Sequence, residues 1–164
     1  AHVPNLRRYA RLLVGDATRA DDLVQDTFER ACRVTTRWPA VETLRPWLLS
    51  VMHNLFVDQV RARRALDEAD SLDEAGEAAL ASPHDATLGV QIRHDLAGAL
   101  QRLPLAHREV LLLVCVEDCA YDEAAAILRV PVGTVMSRLS RARAQLRLEM
   151  DDSRDPAPRL RRVK

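Results

Sequence analysis

The chain has 164 residues, 48% hydrophobic and 29% charged but only 4% aromatic, so aliphatic packing must build its interior and one or two small domains are the natural size. There is no long apolar run for a membrane span and no signal peptide, and three scattered cysteines fit a reduced cytoplasmic protein rather than a disulfide scaffold. The formal net charge of zero hides a segregation: residues 1–65 carry net +4, residues 66–92 carry seven acids and no Lys or Arg, and residues 93–164 carry net +3.

Sustained apolar/polar alternation is absent, as are Asn-Gly and Asp-Gly hairpin dipeptides, so the expected fold is all-α. Two small helical domains joined by a flexible acidic linker are expected, with boundaries at 1–65, 66–92 and 93–150 and a basic tail at 151–164. In the first domain, Thr18-Arg-Ala-Asp21 followed by Asp22 has the character of a helix start, an oxygen-bearing cap with acids in the first turn. In the helix that follows, Asp22, Asp26 and Glu29 share a face with Gln25 close by, while Leu23, Val24, Phe28 and Ala31 supply apolar contacts. That face suits a basic partner, although plain solvation accounts for it too.

A proline-punctuated stretch, Thr36 to Pro46, precedes a helix expected from about Trp47, with Leu48, Val51 and Met52 turned inward. His53 to Arg64 then ends in three arginines over four positions. Asn54 lies between two helical runs, where its amide can cap a helix or hydrogen-bond an exposed base edge. The acidic run that follows lacks the apolar periodicity of a core and is expected to be a tether; its acidity also resembles that of nucleic acid.

In the second domain, a helix from about Leu105 to Glu117 carries the apolar run Val110 to Val116. A short amphipathic helix, Tyr121 to Leu128, leads through the breakers of Arg129-Val-Pro-Val-Gly133 into a last helix from Pro131 to Leu146. Two short helices around a tight turn make a helix-turn-helix within a three- or four-helix domain. Along the last helix Val135, Leu139, Ala142 and Leu146 fall in one line, and Thr134, Arg138, Arg141 and Gln145 in another beside it. No Asp or Glu occurs from Ala124 to Leu148. Such an uncompensated polar and basic face suits the DNA major groove, where Arg reads guanine and Gln adenine while Ser and Thr hold phosphates. A solvated amphipathic helix has the same pattern.

Asp22-Leu-Val-Gln-Asp-Thr-Phe-Glu-Arg-Ala31, Trp47-Leu-Leu-Ser-Val-Met-His-Asn-Leu-Phe-Val-Asp-Gln-Val-Arg61, Leu103-Pro-Leu-Ala-His-Arg-Glu-Val-Leu-Leu-Leu113 and Val132-Gly-Thr-Val-Met-Ser-Arg-Leu-Ser-Arg-Ala-Arg143 resemble, in that order, the bacterial extracytoplasmic-function (ECF) sigma factors. The resemblance runs from about Leu6 to Met150. It implies an initiation factor that binds bacterial core RNA polymerase and directs it to promoter DNA, under the control of an anti-sigma factor. It places Asp22, Leu23, Gln25, Asp26 and Glu29 on the polymerase-gripping helix. Asn54 falls by the same resemblance in the loop that captures a flipped base of the minus-ten element, with Arg61, Arg63 and Arg64 along the adjoining backbone. Thr134, Ser137, Arg138 and Arg141 match the helix that enters the major groove of the minus-thirty-five element.

There are departures from the family pattern. Ala120 stands where a Ser often caps the first helix of the helix-turn-helix, so the cap is expected to weaken or pass to Asp122. Met136 replaces a frequent basic residue and removes one phosphate contact. The abrupt start at Ala1-His-Val-Pro suggests that an initial segment is missing.

Cys115 and Cys119 are four apart but no Cys/His partner set accompanies them, so no metal or other cofactor is expected. Cys32 and Cys115 are expected as small buried hydrophobes. No nucleophile-base-orienter set or phosphate-binding Gly loop occurs, which argues against an enzyme. Two other functions fit the same helices: a mimic that sequesters an anti-sigma factor, and a dimeric helix-turn-helix regulator that works without polymerase.

Overall fold

The computed structural model describes residues 3–34, 39–69 and 88–154, and within them every regular element is helical. The first, α1 (Val3–Val14), buries Leu6, Tyr9, Ala10 and Leu13, the spacing of a single helix face. Gly15 ends it at φ +82°, donating its N–H to Arg11 O at 2.9 Å. A left-handed residue at that place is ordinary only for glycine.

The second helix, α2, spans Ala17–Val34 and buries Ala20, Leu23, Val24, Thr27 and Ala31. Its cap is Asp16, whose Oδ1 accepts the Arg19 N–H at 2.8 Å, rather than the expected Thr18, which is exposed within the first turn. Replacing Asp16 by alanine is therefore expected to cost about 1 kcal/mol of stability. Thr18→Ala should change a thermal or urea melt far less.

The third helix, α3 (Val41–Ala69), includes Pro46 and begins before the expected Trp47. Pro46 is the sixth residue of this helix, past its first turn, so its ring removes one N–H···O bond close to the helix start. Leu48, Leu49, Met52 and Phe56 are buried. The helix is unbroken at Asn54, which corrects the expectation that this residue lies in a loop or between two helices.

Of the acidic run, residues 70–87 lie outside the described residues, as do residues 155–164 of the tail. Helix reaches further into the acidic run than the sequence suggested, because α3 continues to Ala69 and α4 (Leu88–Arg102) begins at Leu88.

Beyond Pro104, α5 (Leu105–Leu111) passes into a wider turn over Leu112–Val116, closed by Glu117 N–H to Leu112 O at 3.0 Å. The extra residue per turn keeps Val110, Leu111, Leu112 and Leu113 all buried in succession. Next, α6 (Tyr121–Leu128) is held at its start by Glu123, whose carboxylate accepts the Ala120 N–H at 3.0 Å. Ala120 has no side-chain oxygen to return the bond, so the cap is half a capping box and rests on Glu123 rather than Asp122. Arg129 takes a left-handed φ of 54°, and Pro131 O then accepts Thr134 N–H at 2.9 Å as α7 (Val132–Arg154) begins. Helices α4 to α7 thus make a four-helix C-terminal half. It and the N-terminal half share one continuous apolar core.

Candidate polymerase and promoter surfaces

Helix α2 sets Asp22, Gln25, Asp26 and Glu29 outward, all exposed. Gln25 donates to Glu29 at 3.0 Å, and Gln59 of α3 reaches Asp26 at 3.3 Å, so the polar row is braced along the helix and from the side. Leu23, expected with them, is fully buried; it anchors the row from beneath and cannot touch a partner. A cleft of about 380 Å³ between α1 and α2 is lined by Val3, Arg7, Asp22, Gln25 and half-buried Phe28. Arg7 lies 3.0 Å from Asp21, and Arg11 adds a longer contact to the same carboxylate at 3.5 Å. These cations tie up Asp21 and leave the next acids in sequence unpaired with them. Arg7 and Phe28 widen the acidic face into an amphipathic groove; no charge-periodicity argument would have selected them.

Half-buried Asn54 lines a second cleft, about 330 Å³, with Arg30 and Val34 of α2 and Val51, Leu55 and Asp58 of α3. The cleft combines an amide, a guanidinium and a carboxylate with apolar walls, a set that can hydrogen-bond a planar heterocycle at its edge while packing on its face. Arg30 was missed by the sequence reading because its partners come from another helix. Arg61 follows Asn54 by seven residues and so returns to nearly the same side of α3, two turns on. Arg63 is nearer the opposite side, close to Arg19, whose guanidinium pKa is lowered first by partial burial and then by Arg63. The exposed arginines Arg61, Arg63 and Arg64 therefore fan around the helix rather than forming one stripe.

On α7, Val135, Leu139 and Ala142 are buried and Leu146 packs half-buried against them, as the periodicity required. The basic line beside them is only partly free. Ser137 and Arg141 are exposed, Thr134 and Arg138 are half-buried, and Gln145 is held 3.3 Å from His107 Nδ1 on α5. Ser137 donates to Thr134 O at 3.1 Å, which orients its hydroxyl along the helix. The free polar face is thus centred nearer Ser137 and Arg141 than the linear pattern suggests. A further groove of about 430 Å³ lies on the other flank of the buried line, lined by Tyr121, Met136, Ser140, Arg143 and Arg147.

Of the cysteines, Cys32 and Cys115 are exposed and Cys119 is buried, which corrects the expectation for the first two. Cys32 stands one position past buried Ala31 and has turned off the apolar face of α2. Cys115 meets Arg143 at 3.7 Å instead of the core. No cluster able to hold a metal ion occurs among the described residues.

Comparison with known proteins follows these divisions. Residues 1–53 match the family model "Sigma2 domain of PhyR", and residues 93–146 match "Sigma-70, region 4". The chain is 38% identical over 160 residues to the ECF RNA polymerase sigma factor EcfG of Rhodopseudomonas palustris strain TIE-1, covering 96% of this chain and 87% of that protein. It is 36% identical over 153 residues to the ECF RNA polymerase sigma factor SigE of Mycolicibacterium smegmatis, covering 89% and 57%. Among solved structures, the sigma factor RpoE of Bartonella quintana, crystallised with the anti-sigma factor NepR, superposes with a TM-score of 0.76 at 31% identity, over 91% of each chain.

Proposed function

This chain belongs to the extracytoplasmic-function RNA polymerase sigma factors, and on that premise we propose how its surfaces share the work of starting transcription. It binds bacterial core RNA polymerase and directs it to promoters in the cytoplasm, as an initiation factor with no cofactor and no catalysis of its own. No helix among the described residues is long and apolar enough to cross a membrane. The observation that carries the reading is the coincidence of the two matched segments with two separately built polar surfaces, one on the α2 and α3 half and one on α7. Residues 1–65 form the polymerase and minus-ten module, residues 66–92 connect it, and residues 93–150 form the minus-thirty-five module. Residues 151–164 make a basic tail.

Asp22, Gln25, Asp26 and Glu29 dock a basic surface of the polymerase, with Leu23 holding the helix in place. Asn54 offers donor and acceptor to an unstacked minus-ten base. Unstacking costs a few kcal/mol, and hydrogen bonds to the extruded base recover part of it. Arg61, Arg63 and Arg64 neutralise neighbouring phosphates, a contribution that fades as salt rises. Thr134, Ser137, Arg138 and Arg141 read or clamp the minus-thirty-five element.

Regulation by an anti-sigma factor is supported by two related sigma factors solved with such partners, RpoE with NepR and CnrH with CnrY, the latter 29% identical to this chain at a TM-score of 0.63. The match of residues 1–53 to a domain of PhyR keeps one other reading in view, a mimic that binds an anti-sigma factor and leaves DNA alone. Exposed Arg141 and the Asn54 cleft favour the sigma factor.

The docking assignment is tested with purified core polymerase. Asp26→Arg reverses charge at the centre of the braced row and is expected to weaken association tenfold or more, with the melting temperature little changed because Asp26 is exposed. Equal affinity of variant and parent in fluorescence anisotropy removes α2 from the interface.

A further inference from the structure

The first turns of α7 carry apolar surface among their polar groups. Met136, the fifth residue of the helix, is 53% exposed, and Val132, one turn before it, is 41% exposed. Together with Tyr121 of α6, Met136 lines the groove of about 430 Å³ that also takes in Ser140, Arg143 and Arg147. Positions 136, 140, 143 and 147 share one side of α7, so the groove follows the helix. Nothing lies within 4 Å of where a Cβ on Gly133 would stand, which leaves the helix start uncovered on that side.

The groove is cationic as well as apolar. No Asp or Glu occurs from Ala124 to Leu148, so Arg143 and Arg147 have no carboxylate in their own stretch of helix. Arg143 is steadied by Cys115 at 3.7 Å. Guanidinium groups along a helix face suit the phosphates that border a DNA groove. They leave Met136 without an obvious task, because a thioether contributes nothing to a phosphate contact.

Base chemistry supplies one. A recognition helix meets base edges with its N-terminal residues, and the apolar feature of those edges in the major groove is the C5-methyl group of thymine. Met136 is unbranched, polarisable and without a donor. Against a thymine methyl group it displaces water from two apolar surfaces at once. Against the polar edge of a G·C pair it strips hydration and returns no hydrogen bond. Ser137, next in sequence, donates its hydroxyl proton to Thr134 O at 3.1 Å. Its remaining lone pairs suit the amino group of adenine or cytosine. An A·T pair therefore satisfies both side chains, whereas a G·C pair satisfies Ser137 alone.

We infer that Met136 reads a thymine methyl group in the upstream promoter element, so that this sigma factor selects an A·T pair where the start of α7 faces the bases. The inference rests on the proposed promoter-binding role of α7 and goes beyond it by assigning a base to a side chain outside the basic row. The phosphate contact that a basic residue makes at this position is replaced by a sequence preference.

The test uses the intact chain, core polymerase and the upstream block recovered from a randomised promoter library. Each thymine of that block, on either strand, is replaced singly by deoxyuridine, which removes the methyl group and keeps the base pair. At one position the replacement is expected to lower transcription about fourfold, the weight of about one methyl group returned to water. Met136→Ala is expected to abolish the difference between thymine and deoxyuridine at that position, with the melt little changed because Met136 is exposed. Met136→Arg should lose the same difference and steepen the slope of log affinity against log salt by about 0.9, as one added phosphate contact requires.

Three results overturn the inference and leave the proposed function standing: an upstream block with no thymine on either strand, deoxyuridine tolerated at every thymine, or a deoxyuridine effect of equal size in the parent chain and Met136→Ala. Absence of chain-dependent transcripts from every template refutes the proposed function, and the inference with it.

Discussion

Arg141→Ala is expected to lose about 1–3 kcal/mol of discrimination at one or two positions of the upstream promoter element, roughly 5- to 150-fold in relative transcription. Arg141 is exposed on α7 with its helix face open to solvent, so the substitution should leave the thermal melt unchanged. Arg138→Ala is expected to lose a similar amount of discrimination if its guanidinium reaches a base. Being half-buried, it should also lose some stability through the packing of its stem. Comparing the two variants on a set of single-base promoter changes separates base reading from phosphate binding. A base contact relaxes preference at its own position, whereas a phosphate contact weakens every sequence alike and reduces the salt dependence. An unchanged preference in both variants would remove the exposed basic face of α7 from the recognition surface.

Leu112→Ala is expected to have the largest effect on stability of the changes considered. Leu112 is fully exposed to the core and not at all to water, at 0% accessibility, and it begins the wide turn that ends at Val116. Deleting a buried leucine side chain costs the transfer term plus the cavity left behind, about 2–5 kcal/mol. Small domains have only about 5–15 kcal/mol in total, so urea melts should show a large fall in midpoint. Leu148→Ala is the matched control. Leu148 is 67% exposed, and its loss should stay within about 0.5 kcal/mol.

The all-helical fold was legible because helical periodicity is local. Val135, Leu139 and Ala142 were assigned inward from spacing alone and are buried. The same periodicity at Leu6, Tyr9, Ala10 and Leu13 marks α1, a helix that no charged motif announces. Caps were read less well. Asp16 and Thr18 are both oxygen-bearing candidates two residues apart, and only the path of the chain out of Gly15 decides between them.

The surfaces were legible residue by residue but not as assemblies. Asp22, Gln25, Asp26 and Glu29 needed only a helical wheel. Leu23 was misplaced among them because a motif resemblance carries anchors and contact residues together, whatever side they face. Arg30 joins Asn54, and Gln145 is drawn to His107, through packing between helices that no linear spacing encodes. Contacts between the two halves are the extreme case. Arg8 donates to Val116 O across 108 residues of sequence, and nothing local to either predicts the other.

The central claim is that one chain carries both a polymerase-docking surface and a promoter-reading surface. Run-off transcription with purified core polymerase on a randomised promoter library, sequenced before and after selection, tests it most directly. The account predicts products that depend on this chain and two enriched sequence blocks, the upstream one degraded by Arg141→Ala. Absence of products above core polymerase alone, with the chain folded and no inhibitor present, would contradict it.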